Sequence, residues 1–237
     1  MYHAPVAQRI EHLTSDQRVG GSSPSGRASL SQITGYISLV RKVLVTGFEP
    51  FHKSSSNPSQ AIVEKLREER IPNLFCEVLP VEFGSSAEVL IKIIDDVKPE
   101  VVISLGQAEG RNAITPERVA INLDDARIAD NVGKTPSEEP ISKNGPDAYF
   151  STLPIREITE EIKAAGIPST ISLSAGTFVC NHLFYQLQHH CREKELRSGF
   201  IHVPLMESQS EDFPGLPTMP LSQMVEAIKI AIEVSRR

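Results

Sequence analysis

The feature that most constrains the fold is an alternation of two kinds of segment from Arg41 to the C-terminus. Short apolar and β-branched runs, such as residues 100–105, are typical of strands that are buried on both faces of a sheet. Between them lie longer segments whose apolar residues recur three or four positions apart, as in amphipathic helices. The alternation predicts one α/β domain with three layers, α/β/α, around a mostly parallel, mixed sheet.

Individual elements follow from local patterns. Asn57 before Pro58 predicts a helix start, because asparagine caps helices and proline is favoured in the first turn. Ser85 or Ser86 predicts the cap of a second helix, whose apolar positions are Val89, Leu90, Ile93, Ile94 and Val97. Further strands are predicted at 42–46, 75–81, 169–173 and 199–203, and further helices at 155–165, from Cys180 and from Ser222.

Composition narrows the class of protein. The net charge of −6 argues against a nucleic-acid partner, which usually requires a basic surface. No run approaches the roughly 18 to 20 apolar residues of a membrane span, so we expect no membrane partner. The three cysteines are too few, and odd in number, for a disulfide framework. Reduced thiols predict a cytoplasmic protein.

Residues 1–40 differ in composition from the rest of the chain. The segment 20–27 is rich in glycine, serine and proline, and no sustained apolar period precedes it. Such a segment buries too little apolar surface to offset the entropy of ordering, so we predict a disordered extension at 1–40 before a single folded domain at 41–237. Residues 1–28 resemble the translated antisense strand of a tRNA gene, which indicates a start codon assigned too far upstream.

Candidate site residues fall at the predicted strand ends, where open α/β sheets bind ligands. Cys180 follows the strand 169–173 at a helix start, and His202 ends the strand 199–203. Unpaired N–H groups and the helix dipole favour a thiolate at that position and can bind an oxyanion. A thiol beside a general base, in an apolar pocket with one amide, predicts acyl transfer. The neighbours predicted at this edge are Phe48, Phe51, Gln107, Phe178 and Val179.

Other interpretations remain open at this stage. His182 is a rival base, but positions two apart on a helix do not face each other, which favours His202. Cys180 and His202 are also compatible with ordinary core positions. Ligands for zinc occur within one helix, without the spacing of a metal motif. They are Cys180, His182, His189, His190 and Cys191. A solvated loop explains Asp124, Asp125 and Asp130 better than a metal site does.

Several long motifs in order resemble the pyroglutamyl peptidase I (pyrrolidone-carboxylate peptidase) family of cysteine peptidases. They are Val45–Phe51, Asn57–Ser59, Gly106–Arg111, Ile114–Ile128, Asp130–Asn131, Ala175–Tyr185 and Gly199–Pro204. The resemblance implies a phosphorylase/hydrolase-like fold and a triad in which Cys180 is the nucleophile, His202 the base and acid, and Glu117 the group that orients His202. It places a substrate ring among Phe48, Phe51, Gln107, Ile128, Phe178 and Val179, with Arg127 near the oxyanion.

The resemblance also implies a substrate class. The expected substrates are peptides with an N-terminal pyroglutamate, which is a neutral lactam, and neither a metal nor another cofactor is needed. A homotetramer is expected as well. Two departures from the family pattern concern loops: Glu109 stands where a small residue is usual, and Leu205–Glu207 replaces an aromatic residue followed by proline. The alternatives are a nucleoside phosphorylase-like enzyme, for which basic donors are few, and an inactive binding protein on the same fold.

The unusual composition of the N-terminal segment leads to a prediction about the mature chain. We expect the natively expressed protein to begin near Val40, because the preceding segment has no sequence pattern of a fold. Intact mass spectrometry of protein purified from its natural source tests this. A mass that includes residues 1–35 would contradict the prediction.

Overall fold

The computed structural model describes residues 40–52 and 54–237. The predicted disordered extension and upstream start therefore lie outside the described residues, apart from Val40 itself. Nine strands are described. They are β1 (Val43–Phe48), β2 (Leu74–Leu79), β3 (Val101–Gln107), β4 (Thr115–Pro116), β5 (Val119–Ile121), β6 (Ala148–Phe150), β7 (Arg197–Val203), β8 (Leu205–Met206) and β9 (Thr218–Met219).

Five α-helices alternate with these strands in the described part of the chain. They are α1 (Pro58–Glu68), α2 (Ser85–Val97), α3 (Ile155–Ala164), α4 (Val179–Cys191) and α5 (Leu221–Arg236). A 3₁₀ helix at Glu207–Gln209 follows β8. None of the described helices is both long and apolar enough to cross a membrane.

The main sheet has the order β2-β1-β3-β7-β4. Its first four strands are parallel, and the short β4 runs antiparallel to β7. All residues of β1 and β3 are buried, which explains why their sequences are nearly continuous apolar runs. The mixed, mostly parallel sheet predicted from the sequence is therefore confirmed.

Helices cover both faces of this sheet. The helices α1, α3 and α5 pack on one face against β1, β3 and β7 and bury side chains such as Ile62, Ile158 and Ile228. The helices α2 and α4 pack on the other face and bury Leu90 and Phe184. The three-layer α/β/α architecture predicted from the sequence is confirmed, and the helix α4 belongs to the same layer as α2.

Two details of the helix prediction are corrected. The cap of α2 is Gly84, at φ 85°, rather than Ser85 or Ser86, and no side chain bonds the first turn. Glycine tolerates this positive φ at little cost, so the chain turns into the helix without a serine cap. Val89 is 39% exposed, because only a narrow stripe of α2 faces the core.

The predicted strand 169–173 is not a strand of the main sheet. It lies along residues 114–118 and pairs with them only through two bridges, Ile114 with Ser169 and Glu117 with Ser172. Pro116 has no N–H group and cannot complete a longer ladder. Leu173 is consequently 70% exposed at the sheet edge, although the segment still leads into α4.

The start of α1 follows its predicted capping pattern. The Oδ1 atom of Asn57 accepts a hydrogen bond of 3.0 Å from the Ser59 N–H, and Nδ2 donates to the Glu49 carbonyl at 3.0 Å. Asn57 thus satisfies a free N–H of the helix and ties the helix to the chain that leaves β1.

We therefore expect Asn57→Ala to lower the free energy of unfolding by about 1 to 2 kcal/mol, the usual cost of losing a helix cap. Asn57→Asp retains the acceptor for the helix N–H and should lose less stability. Urea unfolding of the three proteins measures the difference. An alanine variant as stable as the wild type would contradict this role.

Candidate active site

Cys180 lies at the second residue of α4, directly above the carboxyl end of β3. A Cβ atom added to Gly106 would come within 2.8 Å of the Cys180 Sγ, so the thiol approaches the bare backbone of this glycine. Gly106 is paired with His202 in the parallel β3–β7 register. Paired residues of neighbouring strands carry their side chains on the same face. The thiol and the imidazole therefore share one face and one edge of the sheet.

Three charged or titratable side chains form a hydrogen-bonded chain next to this thiol. His202 Nδ1 lies 2.7 Å from Glu117 Oε1, and the carboxylate is fully buried. Arg111 donates from Nη1 to the same oxygen at 2.7 Å. Because Glu117 can only accept when ionised, the imidazole proton lies on Nδ1 and leaves Nε2 as a basic nitrogen.

The Glu117 backbone is fixed at the sheet edge. Its N–H donates to the Phe200 carbonyl of β7 at 2.9 Å, which sets the carboxylate beside His202. Thr115 Oγ1 donates to the His202 carbonyl at 3.2 Å and accepts from Arg111 Nη1 at 2.5 Å. The short strand β4 thus brings the carboxylate to the histidine.

Arg111 is a site residue that the sequence analysis did not identify. Its Nη2 donates to the Ser174 carbonyl at 3.1 Å, so the guanidinium links the chain before α4 to Glu117. The sequence feature that could have indicated this role is the position of Arg111 just after β3 and six residues before Glu117. The bond to the Glu117 carboxylate also disfavours a phosphate-binding role for this guanidinium.

The environment perturbs the pKa values of His202 and Glu117. Burial lowers the pKa of His202 and outweighs the bond and charge of Glu117, which raise it, while Arg111 lowers it further. Burial alone would raise the pKa of Glu117. The hydrogen bond from His202 and the positive charges of His202 and Arg111 outweigh burial and hold this pKa below its usual value. At neutral pH the imidazole is neutral and the carboxylate is ionised.

The thiol does not behave as the helix start alone would predict. Burial raises the pKa of the Cys180 thiol to about 12, the Glu117 charge raises it too, and Arg111 opposes the rise. Desolvation thus outweighs the helix-start effects that favour a thiolate. The arrangement is a neutral thiol and a neutral imidazole on one face of the sheet, so a thiolate forms only when the thiol loses its proton.

The rival base, His182, has both ring nitrogens engaged elsewhere. The Gly84 N–H donates to His182 Nε2 at 3.2 Å, so the ring proton lies on Nδ1, which is 2.8 Å from Asp124 Oδ2. This side chain ties α4 to α2 and to the loop that follows β5. His182 is therefore held in a structural network, as its position two residues from Cys180 indicated.

The acidic loop residues also have structural partners. Asp130 accepts from the Phe83 N–H at 2.9 Å with one oxygen, and from the Val132 and Lys134 N–H groups with the other. Within residues 40–52 and 54–237 no group of three or more histidine, cysteine, aspartate or glutamate side chains could hold a metal ion.

A small cleft opens next to the Cys180 thiol. Its apolar lining is Phe48, Phe51, Val81, Phe178 and Val179, and its polar lining is Asn57, Gln107 and Cys180. Phe178 packs against Phe51 with ring centroids 6.1 Å apart and edge-on against Phe83 at 5.3 Å. Five of the six substrate-binding residues expected from the resemblance thus meet at the thiol.

Two expected residues lie apart from this cleft lining. Ile128 is 37% exposed and Arg127 is also exposed, both in the loop that precedes Asp130. Neither belongs to the described residues that line the cleft.

Known proteins resemble this chain over most of its length. The pyroglutamyl peptidase family model matches residues 41–237. A pyrrolidone-carboxylate peptidase of Vibrio vulnificus is 50% identical over 194 residues, 81% of this chain and 91% of the relative. One of Erwinia tasmaniensis is 47% identical over 198 residues, 83% of this chain and 93% of the relative.

Solved structures agree with these matches. The crystal structure of pyroglutamyl peptidase I from Bacillus amyloliquefaciens has a TM-score of 0.80 and 44% identity, covering 83% of this chain and 95% of its own. A mutant pyrrolidone carboxyl peptidase from Pyrococcus furiosus has a TM-score of 0.79 and 45% identity, covering 82% and 97%. A family model that spans nearly the whole described chain, and relatives at this identity, leave one assignment: the chain belongs to the pyroglutamyl peptidase family of cysteine peptidases.

Proposed function

We propose that this chain is a cysteine exopeptidase that removes N-terminal pyroglutamate from peptides through a Cys180–His202–Glu117 triad. The observation that carries the proposal is the convergence of a thiol, a carboxylate-bound imidazole and a mostly apolar cleft at one sheet edge. A phosphorylase-like activity would require free basic groups for phosphate, and Arg111 is instead bonded to Glu117 and the Ser174 carbonyl.

The cleft suits a neutral ring. Pyroglutamate is a flat lactam whose nitrogen carries no charge, so its ring can be desolvated at a modest cost if its N–H and C=O find partners. Phe48, Phe51 and Phe178 supply apolar surface, and Gln107 supplies the amide. An aminopeptidase for ordinary peptides would instead need an anionic group for the terminal ammonium. The lining has no ionised carboxylate of this kind among the described residues.

The first half of the reaction acylates the enzyme. His202 Nε2 takes the proton of the Cys180 thiol, and the sulfur attacks the carbonyl carbon that follows the ring. The resulting oxyanion can accept from the free N–H groups of the first turn of α4. When the tetrahedral intermediate collapses, the C–N bond breaks and the imidazolium gives its proton to the leaving amine, which leaves a thioester on Cys180.

The second half releases the product. Water gives a proton to His202 Nε2 and its oxygen attacks the thioester carbonyl, after which the C–S bond breaks and the proton returns to the sulfur. Free pyroglutamate and the thiol are formed. Glu117 holds the Nδ1 proton throughout and stabilises each imidazolium state. No metal or other cofactor takes part in these steps.

The neutral resting state fits this sequence of proton transfers. A lowered His202 pKa keeps the imidazole unprotonated at neutral pH, so the base is available before substrate binds. A raised Cys180 pKa keeps the thiol protonated until the imidazole removes its proton. The placement of Ile128 beside the ring and of Arg127 near the oxyanion stays a prediction of the family resemblance.

We also propose a cellular setting. Three cysteines without a disulfide favour the cytoplasm, because thiols persist where the redox environment is reducing. The negative net charge disfavours nucleic acid, so the proposed partners are pyroglutamyl peptides and further copies of the chain in a homotetramer. Size-exclusion chromatography with light scattering measures that assembly directly.

The assignment of the nucleophile gives the central test. We expect Cys180→Ala to lower kcat for a pyroglutamyl–coumarin amide by about 10⁴-fold or more, as when a covalent nucleophile is removed. Cys76→Ala is the matched control, because Cys76 is buried in β2 on the opposite side of the sheet and should leave turnover nearly unchanged. Absence of turnover by the reduced wild-type protein would overturn the proposed function.

A second prediction concerns pH and Arg111. Activity should fall as acid protonates His202, at a pH below the ordinary histidine pKa, because its pKa is lowered. Arg111→Met removes a cation that lowers this pKa, so the acid limb of kcat/KM should move to higher pH. Arg111→Lys keeps the charge and should shift the limb less. Coincident pH profiles for the three proteins would show that Arg111 does not tune the base.

A further inference from the structure

Gln209 is a fully buried glutamine that stands behind the substrate cleft. It lies at the end of the 3₁₀ helix after β8 and contacts three separate parts of the chain through its side-chain amide. These parts are the loop at Ser54 and Ser56, the backbone of Met206, and the side chain of Gln107 at the end of β3. Burial of an amide with this many partners indicates a fixed orientation.

The orientation of the Gln209 amide follows from two backbone groups. The Met206 N–H donates to Gln209 Oε1 at 2.9 Å, and Gln209 Nε2 donates to the Ser56 carbonyl at 3.2 Å. A backbone N–H can only donate and a backbone carbonyl can only accept. Exchanging the oxygen and nitrogen of Gln209 would break both bonds at once. The Nε2 group of Gln209 is therefore the end of the amide that points towards Gln107.

Gln209 in turn fixes the amide of Gln107. Gln209 Nε2 donates to Gln107 Oε1 at 3.0 Å. The reversed Gln107 amide would place two NH₂ groups against each other at this distance, without an acceptor between them. Gln107 therefore turns its oxygen towards Gln209, and its nitrogen is the polar atom that remains for a ligand in the cleft.

The side-chain nitrogen of Gln107 has a weak hydrogen-bond partner among the described residues. Its contact with Glu109 Oε1 is 3.5 Å, at the long limit for a hydrogen bond, and Glu109 is exposed. Gln107 itself is 8% exposed and belongs to the lining next to Cys180. A donor thus stands in a mostly apolar cleft, where a substrate acceptor would satisfy it better than Glu109 does.

We propose that Gln209 is a positioning residue for substrate specificity: it locks Gln107 so that the Gln107 NH₂ group donates to the ring carbonyl of the substrate. This inference rests on the proposed function and names the ring group that is read. A pyroglutamyl ring offers a carbonyl acceptor, whereas a prolyl ring offers only a charged amine that donates. The locked amide therefore selects a lactam and rejects a ring that lacks an acceptor.

The proposed hydrogen bond predicts how kinetic constants respond. The ring carbonyl is remote from the bond that is cleaved, so the Gln107 bond is equally strong in the ground state and the transition state. Its loss should raise KM and leave kcat nearly unchanged. For one neutral hydrogen bond the rise in KM is about 3- to 10-fold.

The experiment is a double-mutant cycle on the full chain with a pyroglutamyl–coumarin amide. Gln209→Met should raise KM by about 3- to 10-fold, and Gln107→Met should raise it at least as much. The double variant should resemble Gln107→Met alone, because Gln209 acts through Gln107. Gln188→Met is the matched control: Gln188 is a buried amide of α4 that bonds Ser198 of β7, and its loss should leave KM unchanged.

The possible outcomes are separable. A wild-type protein without turnover would overturn the proposed function, whereas an active protein whose KM is insensitive to Gln209→Met would overturn this inference alone. Additive effects in the double variant would also overturn it, since they would make Gln209 a general structural residue. If Gln209→Met does not fold, Gln209→Asn replaces it, because its shorter amide cannot span from Met206 to Gln107.

Discussion

The buried carboxylate of Glu117 is the interaction on which the site depends. An isolated charge without solvent would cost several kcal/mol, so its two partners are needed for the fold, whatever their part in the proposed reaction. Arg111 and His202 both bond Oε1, and they come from different parts of the fold. The short strand β4 therefore places the Glu117 carboxylate where its charge can be buried only if the His202 imidazole is turned towards it.

This arrangement explains a resting state that differs from a preformed ion pair. The same burial that shapes the cleft lowers the pKa of His202 and raises that of Cys180 to about 12. Separation of charge between sulfur and imidazole is unfavourable until a substrate carbonyl can take up the electrons of sulfur. Within the proposed mechanism, a thiol that remains protonated in the free enzyme is also less exposed to oxidation, because the thiolate is the reactive form.

Much of the architecture and part of the site could be predicted from the sequence, for identifiable reasons. His202 lies near the end of an apolar strand, where the strand-end rule predicts a site. The run 169–173 before Cys180 is not a strand of the main sheet, but it leads into α4, whose start brings the thiol to the same edge. Glu117 carries no such local signal; only the family resemblance selected it among the carboxylates. Arg111 was missed because its partner is known only once β4 is placed. The extended edge at 169–173 and the thiol pKa depend on long-range pairing and burial, which periodicity does not contain.

The side-chain amides of Gln107 and Gln209 fix which polar atom faces the cleft, and no single sequence motif contains both residues. Phenylalanine surface can hold many flat rings of similar size, so apolar packing alone discriminates weakly. Specificity requires either a hydrogen-bond donor or an acceptor at a fixed place, and a side-chain amide can present its nitrogen or its oxygen there. Gln209 removes that ambiguity because backbone groups at Met206 and Ser56 fix its own orientation. In the proposed arrangement, the backbone at Met206 and Ser56 orients Gln209, and Gln209 orients Gln107 towards the ring of the substrate. Recognition of the ring therefore depends on the backbone positions of the fold.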